Sequence, residues 1–127
     1  MEGHTIVCGY GRNGRQAAAK LKNFKKSCVV IERSAELLKE IEEEGFLGVE
    51  GDATDDSILM KAGVKNAENL ITALPSDSDN LYVVLSTRQL NAKIAIVSRA
   101  TNESTQKKLK IAGADKVIMP DKLGGDH

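Results

Sequence analysis

The chain has 127 residues, which suits one domain with a single core. Its 18 basic and 18 acidic residues cancel, so no polyelectrolyte partner is implied and nucleic acid is disfavoured. Hydrophobic residues make up 41% and aromatic residues only 3%, which predicts a core of Val, Ile, Leu and Ala, as buried parallel strands prefer. No apolar run approaches the roughly 18 residues that cross a bilayer, and the opening residues carry no signal-peptide pattern. Cys8 and Cys28 both fall in predicted buried strands and read as small core residues of a reducing cytoplasm.

The first element is a buried strand, Thr5-Ile6-Val7-Cys8. It runs into Gly9-Tyr10-Gly11-Arg12-Asn13-Gly14, then a helical stretch to Phe24, then a second strand, Cys28-Val29-Val30-Ile31-Glu32. Strand, GxGxxG turn, helix and acid-tipped strand together form the dinucleotide-binding fingerprint. Gly9 permits the tight turn, Gly11 lets backbone approach a phosphate pair, and Gly14 lets helix and strand pack closely. The helix N-terminus offers free N–H groups and the positive end of its dipole. Glu32 stands 18 positions after Gly14, where an acid accepts from ribose hydroxyls. Gly9 and Gly14 also have P-loop spacing, but Arg15-Gln16 replace the Lys-Ser/Thr that phosphate and Mg²⁺ require, so a P-loop hydrolase is excluded.

Further along, Ser34 is expected to cap a helix over 35–44 with the apolar face Leu37, Leu38 and Ile41, stopped by Gly45. A third strand covers 46–50 and leads into Gly51-Asp52-Ala53-Thr54. A short helix carrying Ile58, Leu59 and Ala62 follows, stopped by Gly63. The fourth strand is 70–74, ended by Pro75. Ser76 should cap a longer helix that buries Leu81, Val84 and Leu85 and ends near Asn91. Strand five spans 94–98, Asn102 can cap a helix over 103–112 stopped by Gly113, and strand six covers 116–119. Six strands alternating with helices predict an α/β, Rossmann-like, doubly wound parallel sheet of order 3-2-1-4-5-6. Ligand then belongs at the carboxyl ends of strands one and four, where the winding reverses.

Polar residues gather at those ends. Arg12 can reach a phosphate; Asp52 and Thr54 can reach an adenine or ribose, or Asp52, Thr54 or Asp55 simply caps the next helix. Ser76, Asp77 and Arg99 divide between ligand contact and ordinary capping or surface charge. A calcium loop starting at Asp52 would need Gly at 57 and Glu at 63, where Ser57 and Gly63 stand. No Cys/His set has zinc spacing, and no nucleophile–base constellation is visible. His4 and His127 lie at the chain ends and are expected to be unstructured or solvated.

The glycine turn, Val30-Ile31-Glu32, Gly51-Asp52-Ala53-Thr54, Asn80 and the run from Gly113 to Pro120 resemble the N-terminal lobe of RCK (TrkA-N, or KTN) domains. That family regulates potassium channels and potassium uptake systems. The resemblance implies a single non-enzymatic RCK N-lobe over residues 1–127, cytosolic and beneath a membrane pore. It also implies pairing into homodimers and a ring of lobes, an octamer. The implied cofactors are NAD(H) or an adenine nucleotide (ATP, ADP or AMP). The implied binding residues are Gly9, Tyr10, Gly11, Arg12, Asn13, Gly14, Glu32, Arg33, Asp52, Ala53, Thr54, Leu74, Ser76 and Arg99. Glu32 would repel the 2′-phosphate of NADP. The carboxylates with which some members bind Ca²⁺ after strand five are replaced by Ser98-Arg99-Ala100. The family continues past Gly124-Gly125 into a helix that crosses to a partner, so the expectation is an excised lobe of a channel protein. The alternatives are a fragment of an NAD-dependent oxidoreductase and an assembly lobe with a vestigial site.

Overall fold

The computed structural model describes residues 2–120. The expectation about the Gly124-Gly125 segment lies outside the described residues, as does His127. Six strands form one parallel sheet: β1 (Thr5–Cys8), β2 (Cys28–Glu32), β3 (Leu47–Glu50), β4 (Asn69–Thr72), β5 (Ala95–Arg99) and β6 (Lys116–Ile118). Their order is β3-β2-β1-β4-β5-β6, as the alternation of elements predicts. Five helices make the crossovers: α1 (Arg12–Asn23), α2 (Ala35–Glu43), α3 (Asp56–Lys61), α4 (Asp77–Leu90) and α5 (Glu103–Ala112). A single 3₁₀ turn, Val64–Asn66, joins α3 to β4.

The two faces of the sheet carry separate cores, because successive side chains of a strand point to opposite sides. Ile6, Cys8, Val29, Ile31, Leu70 and Ile96 face α3, α4 and α5 and form the larger one. Val7, Val30 and Cys28 face α1 and α2, where Tyr10, Ala18 and Ile41 complete the smaller one. Four helix starts follow the capping signals: Ser34, Asp55, Ser76 and Asn102 each accept a backbone N–H of the first turn. Gly45 closes α2 in the left-handed region, φ +90°.

Three expectations need correction. His4 is fully buried, its Nε2–H donating to the Ala62 carbonyl at 2.7 Å, because β1 is central and its entry is covered by the α3 connection. Leu85 is 46% exposed and Leu81 half-buried, while Val83 is buried. The inward stripe of α4 is Asn80, Val83, Val84 and Thr87, so two polar residues occupy core positions and mislead a hydrophobicity pattern. The β4 strand also ends at Thr72; the Ala73 N–H still donates to Cys8 O at 3.1 Å, and Leu74 turns over the mouth of the sheet.

Candidate functional site

A crevice of about 940 Å³ opens at the carboxyl ends of β1 and β4. That is near the upper end of ordinary ligand pockets and is roomy enough for a dinucleotide. Its floor is the glycine turn. Gly9 holds φ +92°, a conformation costly for any residue with a Cβ. A Cβ on Gly14 would stand 1.9 Å from the Gly9 carbonyl oxygen, so helix and turn touch backbone to backbone there. A Cβ on Gly11 would meet nothing within 4 Å; it would project into open space at the start of α1.

α1 differs from the other four helices. Gly11 supplies no side-chain cap and the first turn holds no acid, whereas α2, α3, α4 and α5 each have both. The positive end of the α1 dipole therefore faces the crevice without a compensating carboxylate of its own.

Glu32 closes one side. Its Oε1 accepts the Tyr10 N–H at 2.8 Å and its Oε2 the Ser34 N–H at 2.9 Å, which orients the carboxylate across the turn. Asp52 lies on the adjacent strand end. Its Oδ1 accepts from the Thr54 N–H (2.9 Å) and the Thr54 hydroxyl (2.7 Å), and Arg33 Nη1 sits 3.7 Å from Oδ2. Those Thr54 bonds, with Arg33 adding a smaller effect, hold the Asp52 carboxyl below its ordinary 3.8.

The opposite wall comes from β4, α4 and β5. Asn80, fully buried, organises it. Its Oδ1 accepts from the Thr72 hydroxyl (2.7 Å) and the Leu74 N–H (3.0 Å), and its Nδ2 donates to the carbonyls of Leu74 (3.0 Å) and Arg99 (3.3 Å). Arg99 Nη1 donates to Leu74 O at 3.2 Å, while its buried Nε has no partner among the described residues. Ser76 caps α4 through the Asp79 N–H, and Asp77 accepts from the Thr101 N–H and hydroxyl, fixing the loop after β5.

Of the residues singled out in the sequence, Gly9, Tyr10, Gly11, Arg12, Asn13, Glu32, Arg33, Asp52, Ala53, Leu74, Ser76 and Arg99 line the crevice. Gly14 lies buried beneath it, and Thr54 is turned onto Asp52 rather than into the space. Tyr10 divides itself: its amide belongs to the turn, while its ring is buried in the smaller core against Phe46, under the Arg15 guanidinium. Gln16, Leu37, Pro75, Asp79 and Pro120 also line the space without having been expected. Gln16 lies one turn after Arg12 on the same helix face, a spacing that could have found it.

Geometry of this kind, a glycine turn opening an uncapped helix beside an acid-tipped strand, defines a domain of the Rossmann type. The particular family is shown by comparison: residues 5–120 match the TrkA-N domain, and the chain belongs to that family. It is 39% identical over 127 residues to potassium channel protein 1 of Methanocaldococcus jannaschii, covering 98% of this chain and 38% of the relative. The crystal structure of the TrkA-N domain of the Escherichia coli inner membrane protein YbaL superimposes with TM-score 0.90 at 31% identity, covering 94% of this chain and 88% of that one. The GsuK channel bound to NAD superimposes with TM-score 0.84 at 29% identity, covering 93% of this chain and 21% of that one. The chain spans between a fifth and two-fifths of the length of three curated relatives that it matches over 98% of its own length.

Proposed function

We propose that this domain is a regulatory module that binds NAD(H) or an adenine nucleotide in the crevice and thereby controls potassium passage through a membrane pore. The observation that carries the reading is the uncapped, acid-free start of α1 above Gly11, beside a Glu32 carboxylate already oriented by two amides. In this reading phosphates rest on the α1 amides and Arg12, the ribose on Glu32, and the adenine between Ala53, Arg33 and Asp52. Ser76, Leu74 and Arg99 meet the far half of a dinucleotide. The GsuK structures with NAD and with ADP support both ligand classes.

Gating follows if nucleotide prefers one arrangement of paired lobes over another. Tyr82 and Leu85 on α4, with Ile111 on α5 and Ile118 on β6, are exposed apolar side chains suited to pairing with a second copy and to ring assembly at the cytosolic face of the membrane. No helix among the described residues is long and apolar enough to cross a membrane.

Calorimetric titration with NADH, NAD⁺, ATP, ADP and AMP tests the binding step. Submillimolar affinity for at least one of them, lost in Glu32→Ala, is expected. No binding by any of the five would end the reading. Potassium flux through the channel that carries this domain, measured with and without the tightest ligand, tests the gating step; identical fluxes would refute it.

A further inference from the structure

At the end of the sheet opposite the crevice, one turn breaks two local rules. α1 closes with the Lys26 N–H donating to Leu21 O at 2.9 Å and the Lys25 N–H to Lys22 O at 3.0 Å. α2 closes identically, with the Phe46 N–H to Ile41 O and the Gly45 N–H to Glu42 O. In α2 the left-handed position is filled by Gly45. In α1 it is filled by Lys25 at φ +57°, the only non-glycine residue with positive φ among the described residues. The aromatic neighbours differ too. Phe46 packs onto the smaller core, whereas Phe24, the only other Phe in the chain, is 75% exposed. A strained lysine and an exposed aromatic side by side are a cost that the fold itself does not require.

The charge around this turn is one-sided. Between Glu2 and Glu32 the chain has six cations, Arg12, Arg15, Lys20, Lys22, Lys25 and Lys26, and no acid. Arg15 pairs with Glu40, and Lys22 donates to the Glu44 carbonyl above the Phe46 ring. Lys20, Lys25 and Lys26 are exposed and, among the described residues, have no carboxylate within 4.0 Å. Lys20 lies one helical turn before Phe24, on the same face. The Thr5 N–H donates to Ser27 O at 3.0 Å, which seats the turn beside the entry of β1.

We propose that this turn docks on an anionic lipid surface, with Phe24 entering the headgroup boundary and Lys20, Lys25 and Lys26 meeting lipid phosphates. The choice of cation favours lipid over an acidic protein. Lysines are point charges on flexible stems, suited to a diffuse array of phosphates, whereas paired recognition of carboxylates calls for the planar fork of arginine. An aromatic residue next to the lysines adds the apolar anchor that a purely electrostatic contact lacks. Glu42, Glu43 and Glu44 are exposed at the end of α2, on the Lys22 side, where Lys22 reaches the Glu44 carbonyl, so the contact is centred on Lys20, Phe24, Lys25 and Lys26.

Co-sedimentation of the 127-residue chain with vesicles tests this. Binding is expected to vesicles of phosphatidylcholine mixed with phosphatidylglycerol, not to phosphatidylcholine alone, and to weaken as salt screens the charges. Phe24→Ser should reduce partitioning about tenfold. Lys25→Gly should reduce it roughly fivefold while raising Tm, since glycine relieves the left-handed strain and keeps the turn folded. Neither residue lines the crevice, so nucleotide titrations should be unchanged, and failure here would leave the nucleotide reading standing. No preference for anionic vesicles at low salt, or unchanged partitioning in both variants, overturns the proposal. So does stronger binding to polyglutamate than to vesicles, which would assign the turn to an acidic protein.

Discussion

Glu32 reaches back across the glycine turn to accept the Tyr10 amide at 2.8 Å, joining the tip of β2 to the floor of the crevice. Its second oxygen takes the Ser34 amide, so one carboxylate orders both the turn and the start of α2. Replacing it should therefore cost stability as well as affinity. Glu32→Gln retains an acceptor for one amide at most in good geometry. It should lower unfolding free energy by about 2 kcal/mol and nucleotide affinity at least about tenfold. Urea titration and calorimetry on the same sample measure the two effects; loss of affinity without loss of stability would detach the carboxylate from the turn.

The two inner glycines separate folding from binding. Gly14→Ala forces a methyl against the Gly9 carbonyl oxygen, 1.9 Å from the ideal position, and should destabilise by about 3 kcal/mol or more. Gly11→Ala meets no atom within 4 Å and should melt like the parent, yet bind nucleotide about tenfold more weakly because the methyl occupies the phosphate approach. Melting curves and titrations of the pair decide it. Equal binding by Gly11→Ala and the parent would move the phosphates elsewhere.

Asn80→Ala removes four hydrogen bonds from a site without solvent and leaves the Leu74 amide and Thr72 hydroxyl unpaired. A loss of about 3 kcal/mol is expected in chemical denaturation. A loss below about 1 kcal/mol would show that the wall is held by other contacts.

Asp52 gives an acid-side signature. Its folded-state carboxyl is held below 3.8, first by the Thr54 amide and hydroxyl, so its contribution to stability is present above 3.8 and disappears as pH falls through the lower folded value. Thr54→Val deletes the hydroxyl bond and should return the Asp52 titration toward 3.8 in NMR. An unmoved titration would leave the Thr54 amide and Arg33 as the cause.

On the alkaline side the two thiols act in the opposite sense. Burial pushes Cys8 up to about 12 and Cys28 up to about 11, from 9.0. The unfolded chain loses these protons first, so stability should decline as pH rises above 9 and keep declining toward 11. Cys8→Val should flatten that decline in urea titrations, and neither thiol should react with a disulfide reagent at pH 8 until the chain unfolds.

Much of this was legible from residue order. The alternation of apolar runs, the caps Ser34, Ser76 and Asn102 and the stops Gly45 and Gly63 mark their elements because each is a local event with a local chemical cause. The strand order followed from chain connectivity. What stayed hidden were matters of position across the fold. His4 looked like a loose terminus because nothing nearby in sequence shows that Ala62 will cover it. Leu85 looked buried because Asn80 and Thr87 do not read as core residues, though they hold the inward stripe of α4. The bond from the Thr54 hydroxyl to the Asp52 carboxylate stayed hidden because it depends on the turn being formed.

The Asn80 bonds carry one more implication. By tying the tips of β4 and β5 to α4, they make Leu74, Arg99 and the first turn of α4 one stiff jaw. A guest in the cleft therefore meets that wall as one preformed surface, fastened to the glycine-turn side through the Cys8–Thr72 end of the β1–β4 ladder.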